Sequence, residues 1–209
     1  SACLVGSEMC IRDRRGATPV EGALALGLAE TGVSLQQVVL KLDAGPLHAS
    51  RTVRPQPGEA RAALRARLGV VAGELAAAAL PAVLAGTSVP VPQDESLVTY
   101  ARRLNRADAP LDFRQPAAVL RQRVLALEGW PGSTFEHRGV TIKVGAAQSE
   151  DAPAVGAPGQ ILGADRTGVR VACGQGVLVL VQLQRPGGKM LPAGAVSYTH
   201  LTLPTNREV

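Results

Sequence analysis

The apolar pattern of this chain changes at residues 86–96, and this change most limits what the chain can fold into. The segment (GTSVPVPQDES) is rich in Pro, Ser and Thr and has no periodicity, which is typical of a linker. Most apolar residues before it belong to runs at helical spacing, whereas most of those after it lie in short alternating runs between turns. The pattern therefore predicts two units of different architecture.

Two helices are predicted before this segment. The first begins at Thr18, which is expected to cap it in a capping box with Glu21. The second begins near Glu59, and Gly69 and Pro81 are expected to divide or kink it. No stretch reaches the ~18 apolar residues of a membrane span, so we expect no membrane partner.

A strand, a tight turn and a return strand are predicted between these helices. Alternating apolar residues indicate a strand over residues 33–42, a turn over 43–46 and a second strand over 47–53. Together with the helices they predict an α/β layer. Asp43 is a catalytic candidate, because open α/β sheets place their sites at the carboxyl ends of strands. The alternative is an ordinary turn residue.

The second half is predicted to be mostly β. A helix over residues 116–128 is followed by short apolar runs at residues 134–137, 140–144, 160–162, 169–173 and 177–184. Short strands at this spacing are typical of a small barrel or sandwich, and a basic one suggests an OB-like nucleic-acid module. Trp130, the only tryptophan, is either a platform for base stacking or a core or hinge anchor.

The net charge of +5 arises in the second half. Residues 15–96 contain seven basic and seven acidic side chains, whereas residues 97–196 contain twelve basic and seven acidic ones. This asymmetry favours a polyanionic partner, the alternative being an arginine bias of a GC-rich gene. The candidate RNA contacts are Arg102, Arg103, Arg106, Arg138, Lys143 and Lys189.

Other chemistry has little support in the sequence. The three histidines have no metal-ligand spacing, so no metal is expected, and three cysteines without a CxxC exclude a disulfide framework and a zinc ribbon. Cys173 lies in an apolar run and is expected in the core. These features predict a reduced, cytoplasmic protein.

Residues 1–14 and 197–209 do not match the rest of the chain. Neither segment has periodicity or turn residues in a recognisable order, and the first lacks the apolar core of a signal peptide. Both are similar to translated adapter sequence at the ends of gene fragments, with ordinary disordered termini as the alternative. We expect foreign flanks on a fragment.

Short motifs across residues 15–196 resemble, in order and spacing, the methionyl-tRNA formyltransferase family. They are Arg15-Gly16-Ala17-Thr18-Pro19, Thr31-Gly32-Val33, Leu42-Asp43-Ala44-Gly45, QDESLVTYA at residues 93–101, Leu111-Asp112-Phe113, Trp130-Pro131, Pro158-Gly159, Gly168-Val169, Gln182-Leu183-Gln184 and Gly188-Lys189-Met190. The resemblance implies the C-terminal part of a Rossmann-like formyltransferase domain (15–85), a linker (86–102) and an OB-like tRNA-binding domain (103–196).

This resemblance implies transfer of a formyl group from 10-formyltetrahydrofolate to the amino group of methionyl initiator tRNA. The family uses an Asn, a His and an Asp, and Asp43 matches the Asp. Asn and protonated His would stabilise the oxyanion, while Asp43 would hold the His and relay the proton of the amine. Gln37 and the backbone of Lys41 and Leu42 are implied folate contacts, and the intact parent is expected to be a monomer.

Two other functions remain open at this stage. Related folate enzymes use the same three residue types but formylate sugar nucleotides or hydrolyse the formyl group. The basic second half and the match over residues 93–101 favour tRNA over those acceptors. A non-enzymatic RNA-binding module, in which Asp43 is only a turn residue, is the alternative from a different class.

The 209-residue chain itself is predicted to be inactive. The family has Asn-x-His-x-Ser-Leu-Leu-Pro just before the Arg-Gly that matches Arg15-Gly16, and residues 3–14 contain neither Asn nor His. A formylation assay with 10-formyltetrahydrofolate and methionyl initiator tRNA should therefore give no product above background. Detectable turnover by this chain would contradict the expectation.

Overall fold

The computed structural model describes residues 14–153 and 155–195. The expectations for the flanks fall outside these ranges, except at Arg14. The chain divides into two compact units between Leu104 and Asn105. We call residues 14–104 unit 1 and residues 105–195 unit 2.

Unit 1, as far as it is described, combines small sheets with helices. Strands β1 and β4 pair in parallel, and β2 and β3 pair antiparallel, so the predicted return strand is confirmed. In chain order the elements are β1 (Arg14–Gly16), α1 (Pro19–Ala25), β2 (Thr31–Gln36), β3 (Leu47–Val53), α2 (Arg61–Leu84), a 3-10 helix (Glu95–Leu97) and β4 (Thr99–Ala101). The α/β class predicted for this half is confirmed.

The core of unit 1 lies between β2 and α2. All six residues of β2 are buried, and α2 buries Leu64, Leu68 and Leu75, which lie on one face at helical spacing. Helix α1 packs against α2 and also buries a charge, because Glu21 is only 5% exposed. Arg61 and Arg65 of α2 pair with its carboxylate at 3.4 and 3.3 Å. Burial of this carboxylate is therefore compensated by two cations.

The predicted capping box at the start of α1 is wrong. Thr18 makes no side-chain cap, and its hydroxyl instead donates to the carbonyl oxygen of Arg102 at 2.7 Å. Glu21 is occupied by the arginines of α2 and does not reach back to the cap. Tertiary partners have displaced the local ones at both positions.

The predicted strand over residues 33–42 is shorter in the structure. It ends at Gln36, where the register with β3 shifts. Gln37 still donates its backbone N–H to the carbonyl oxygen of Pro46 at 2.9 Å, after which residues 38–42 form a loop. Strand β3 begins at Leu47, opposite Gln36. The residues after Gln36 therefore have no residue of β3 to pair with, although their sequence alternates.

Helix α2 also differs from the expectation, because it runs unbroken through Gly69 and Pro81. As one helix of 24 residues it is long and apolar enough to cross a membrane by length and composition alone. The expectation that no segment is long and apolar enough to span a membrane is therefore wrong. Length and composition are weak evidence for a span, and α2 packs on β2 and β3 within unit 1.

Part of the segment expected as a linker (86–102) forms regular structure in unit 1. Val91 exchanges two backbone hydrogen bonds with Leu47 at 2.7 and 2.8 Å. The 3-10 helix at Glu95–Leu97 and strand β4 follow it. Proline and serine content alone did not show that tertiary contacts order this segment.

Unit 2 is a sheet covered by one helix in its described part. The sheet has the order β5-β6-β9-β8-β7, all antiparallel, and β10 also pairs with β9. In chain order the elements are a 3-10 helix (Arg106–Asp108), α3 (Ala117–Ala126), β5 (Ser133–His137), β6 (Val140–Glu150), β7 (Ile161–Ala164), β8 (Val169–Ala172), β9 (Val177–Gln184) and β10 (Leu191–Pro192). The five strands predicted here are confirmed.

The core of unit 2 forms where α3 packs on β6 and β9. Leu120 of α3 and Leu178, Leu180 and Leu183 of β9 are fully buried there. Cys173 is 2% exposed in the same cluster, which confirms its predicted core position, and burial raises the pKa of its thiol. Register shifts in β6 bend the sheet, as bulges do.

The OB-like barrel is not confirmed. Among the described residues the strand order ends at β5 on one side and at β7 on the other, which is a curled sheet rather than a closed one. Predicted strands and turns fix the neighbours of each strand, but closure depends on how strongly the sheet coils.

Candidate functional site

Asp43 lies in the turn that connects the loop after β2 to β3. Its side chain is 8% exposed, and its φ of +50° is in the left-handed region, where Asp is tolerated better than most residues. Carboxylate atom Oδ2 accepts the backbone N–H of Gly16 at 2.8 Å. The turn therefore presents a carboxylate with one oxygen anchored by β1.

The turn is tight because the backbone at Gly45 lies directly against the backbone at Gln37. A Cβ at this position would lie 1.6 Å from the carbonyl oxygen of Gln37, so only glycine fits. Ala44 donates its N–H to the carbonyl oxygen of Lys41 at 3.3 Å, which closes the turn before Gly45. The geometry of the turn therefore accounts for the Asp43-Ala44-Gly45 sequence without a catalytic role.

Gln93 holds the backbone of the same turn from 50 residues away. Its amide nitrogen Nε2 donates to the carbonyl oxygens of Asp43 at 2.9 Å and Gly45 at 2.6 Å. The same nitrogen lies 3.3 Å from Oε1 of Gln36. Sequence reasoning did not identify Gln93 as part of the site, although it begins one of the motifs quoted above.

Arg15 is the buried charge beside this turn, with 1% of its side chain exposed. Its guanidinium donates to Glu95 Oε1 at 2.7 Å and Oε2 at 3.3 Å, and to Gln93 Oε1 at 3.2 Å. The hydrogen bonds to Glu95 raise the pKa of Arg15 against the opposing effect of burial. Atom Nε of Arg15 has no hydrogen-bond partner within the described ranges.

Glu95 joins Arg15 to Lys41, whose Nζ lies 2.8 Å from Glu95 Oε2. Hydrogen bonds from Arg15 and, to a smaller extent, from Lys41 lower the pKa of Glu95 from 4.5 to about 2. Lys41 is thus an exposed member of an ion-pair network whose other cation is buried. This contact was not predicted, because the two residues are far apart in the sequence.

The folate contacts implied by the resemblance lie together on the loop before Asp43. Gln37, Lys41 and Leu42 are exposed, and Leu42 exposes 66% of its surface. Three further apolar side chains of this loop are also exposed: Val38, Val39 and Leu40. A row of exposed apolar residues next to a carboxylate is suited to a flat, partly apolar ligand.

A cleft of about 560 Å³ in unit 1 lies beside the turn but does not include Asp43. Its lining includes His48, Ser50 and Gln93. His48 Nδ1 is 2.9 Å from the hydroxyl oxygen of Ser88, which is a structural contact. Among the residues that the structure describes, no three His, Cys, Asp or Glu side chains form a cluster that could hold a metal ion.

All six candidate RNA contacts are exposed. Arg102 and Arg103 follow β4 in unit 1, whereas the other four belong to unit 2: Arg106, Arg138, Lys143 and Lys189. Arg138 takes the left-handed φ of +50° in the turn between β5 and β6. The side chain of Trp130 is 51% exposed, which is more than expected of a residue anchored in the core.

Two other arginines of unit 2 form ion pairs with acidic neighbours. Arg114 pairs with Asp112 at 2.8 Å, and Arg170 pairs with Asp165 and Glu150. The four candidates in unit 2 have no such ion pair in the described part of the chain.

Comparison with known proteins identifies the class. Residues 103–198 match the family described as "Formyl transferase, C-terminal domain". The fold resembles HypX from Aquifex aeolicus in complex with tetrahydrofolic acid (TM-score 0.67, 21% identity, 92% of this chain and 34% of that one). It also resembles the methionyl-tRNA formyltransferase from Clostridium thermocellum (TM-score 0.55, 16% identity, 72% and 65%). Residues 103–198 therefore belong to the formyl transferase C-terminal domain family.

Sequence relatives at about 40% identity are named methionyl-tRNA formyltransferase. The methionyl-tRNA formyltransferase of Burkholderia thailandensis is 40% identical over 180 residues, which are 86% of this chain and 55% of the relative. That of Bordetella parapertussis is 41% identical over 180 residues, 85% and 58%. These similarities confirm the resemblance to methionyl-tRNA formyltransferases, and the chain spans little more than half the length of these relatives.

We predict that Glu95 titrates near pH 2 and that Lys41→Met raises this midpoint, because one of the two cations that favour the carboxylate is removed. A carboxylate whose folded pKa lies below its ordinary 4.5 stabilises the fold above that pH, and this stabilisation is lost as the pH falls towards 2. Carbon-13 NMR of the Glu95 carboxyl group measures the midpoint. Lys189→Met in unit 2 is the control, and an equal midpoint in all three proteins would contradict the ion-pair network.

Proposed function

We propose that the protein of which this chain is a part transfers the formyl group of 10-formyltetrahydrofolate to the amino group of methionyl initiator tRNA. The observation that carries this proposal is the anchored Asp43 carboxylate at the end of an exposed apolar loop. The 40% identity to named methionyl-tRNA formyltransferases supports the choice of reaction. We assign this reaction to the cytoplasm.

In this reaction the methionyl amine attacks the formyl carbon, a new C–N bond forms, and the C–N bond to N10 of the folate breaks. The amine must lose a proton in this exchange, and we assign Asp43 to accept or relay it. Oδ2 is held by Gly16, so Oδ1 is the oxygen available for a histidine or a water molecule. Tetrahydrofolate leaves with its N10 protonated.

The loop before Asp43 fits the folate donor. Exposed Val38, Leu40 and Leu42 offer apolar contact to the ring system, and Gln37 and Lys41 offer polar groups at its borders. Folates are bound by the solved relative HypX from Aquifex aeolicus, which supports the ligand class. The loop holds the donor and Asp43 follows it directly, so donor and proton acceptor lie on one short segment.

Unit 2 is proposed as the tRNA-binding part, in the manner of an OB-like module. Its exposed Arg106, Arg138, Lys143 and Lys189 supply charge without an internal counterion, which favours phosphate. Arg102 and Arg103, which are exposed at the end of unit 1, are proposed as further phosphate contacts. The half-exposed Trp130 is available for stacking on a base.

A different acceptor is the second candidate, and the solved structures alone do not separate it. They include an N-formyltransferase from Helicobacter canadensis in complex with folinic acid and dTDP-3-aminofucose, at 10% identity and a TM-score of 0.63. Likeness at that identity concerns the fold only. The sequence relatives favour tRNA, because they are 37–41% identical to this chain, whereas the structural neighbours are 10–21% identical.

The catalytic role of Asp43 is tested by Asp43→Asn in the full-length protein that contains this segment. Asn keeps an oxygen for the N–H of Gly16 but removes the charge and the proton acceptor. We expect the kcat/KM for formylation to fall about 100-fold or more, with the Kd for methionyl initiator tRNA within about twofold. Full activity of the variant would overturn the role of Asp43 and favour an RNA-binding module.

The tRNA contact is tested by the salt dependence of binding. We expect the logarithm of the affinity of the 209-residue chain for initiator tRNA to fall linearly with the logarithm of salt concentration. Replacing Arg138, Lys143 and Lys189 by Gln should reduce the slope by about 2 to 3. Arg114→Gln is the matched control, because Arg114 is already paired with Asp112. A slope that does not depend on the first three residues would contradict the proposed surface.

A further inference from the structure

We propose that Gln93 is a positioning residue that fixes the Asp43 turn for catalysis. This inference rests on the proposed role of Asp43 in formyl transfer. It assigns a function to a side chain that lies 50 positions away in the sequence, in the segment expected to be a linker. The contacts of its amide group carry the inference.

The amide nitrogen of Gln93 binds the turn at two points. It donates to the carbonyl oxygens of Asp43 and Gly45, which flank the peptide that turns the chain back towards β3. Asp43 has a left-handed φ, a conformation that local preferences do not favour for a residue with a Cβ. Two hydrogen bonds from one rigid amide hold the turn in that conformation.

The orientation of the Gln93 amide is itself determined by Arg15. Arg15 Nη2 donates to Gln93 Oε1 at 3.2 Å, so the oxygen must face the guanidinium and the nitrogen must face the turn. A flipped amide would place its oxygen against two carbonyl oxygens and its N–H groups against a cation. Arg15 is in turn held by Glu95, so its own orientation is fixed.

The same segment also positions the carboxylate of Asp43. Residues 93–101 continue into β4, which pairs in parallel with β1 and aligns Gly16 with Ala101. A Cβ at Gly16 would lie 2.4 Å from the carbonyl oxygen of Ala101, so the two strands approach as closely as glycine allows. Gly16 then donates its N–H to Asp43 Oδ2. One continuous segment therefore controls both the backbone and the side chain of Asp43.

Hydrogen exchange of the Gly16 amide in the full 209-residue chain tests the proposal. This N–H is bonded to the Asp43 carboxylate, so its exchange rate reports how well the turn holds that carboxylate in place. We expect Gln93→Ala to raise the rate about tenfold or more. Amides of β2 that pair with β3 should change by about twofold or less.

Gln93→Glu separates donation to the turn from the contact with Arg15. The glutamate keeps an oxygen for Arg15 and nearly the same volume, but it places a carboxylate against the carbonyl oxygens of Asp43 and Gly45. We expect the Gly16 amide to exchange at least as fast as in Gln93→Ala. Gln56→Ala, a change at an exposed glutamine of unit 1, is the control and should leave the rate within about twofold.

Two results would overturn the proposal. Protection of the Gly16 amide that persists in both Gln93 variants would show that the turn does not depend on this side chain. Equal acceleration at Gly16 and throughout β2 would show a general loss of stability rather than positioning. Neither result involves formyl transfer, so a failure of the positioning role is distinguishable from a failure of Asp43→Asn to lower activity.

Discussion

The arrangement of unit 1 depends on the burial of one guanidinium. A side chain such as that of Arg15, with 1% of its surface exposed, needs charged and polar partners, because an unpaired buried cation costs several kcal/mol. Glu95 and Gln93 supply them, and both come from the segment that precedes unit 2. The requirement to compensate this charge therefore holds that segment against the Asp43 turn.

Unit 2 shows a different division between stability and function. Its core is apolar and centres on β9, which pairs with β6, β8 and β10 and buries Leu178, Leu180 and Leu183. The basic residues proposed to contact tRNA lie outside this core and are exposed. The surface charge can therefore change with little effect on packing, since the fold of this unit does not depend on it.

Local patterns predicted the elements better than the contacts between them. The strands of unit 2 and the return strand of unit 1 follow from alternation and glycine turns, which act over a few residues. The cap at Thr18, the end of β2 and the continuity of α2 did not follow, because tertiary partners determine each of them. Asp43 was identified by its motif, whereas Gln93 was not, since its partners lie 50 and 78 residues away.

The shared contacts of Arg15, Gln93 and Glu95 have a consequence for how such sequences can diverge. A substitution at any one of the three leaves a buried cation, a turn or an amide without its partner, so each single change is expected to destabilise unit 1. Replacement of Arg15 by an apolar residue becomes acceptable when positions 93 and 95 change with it. Among homologues these three positions should vary together, and their joint pattern would mark the lineages in which the turn is held in another way.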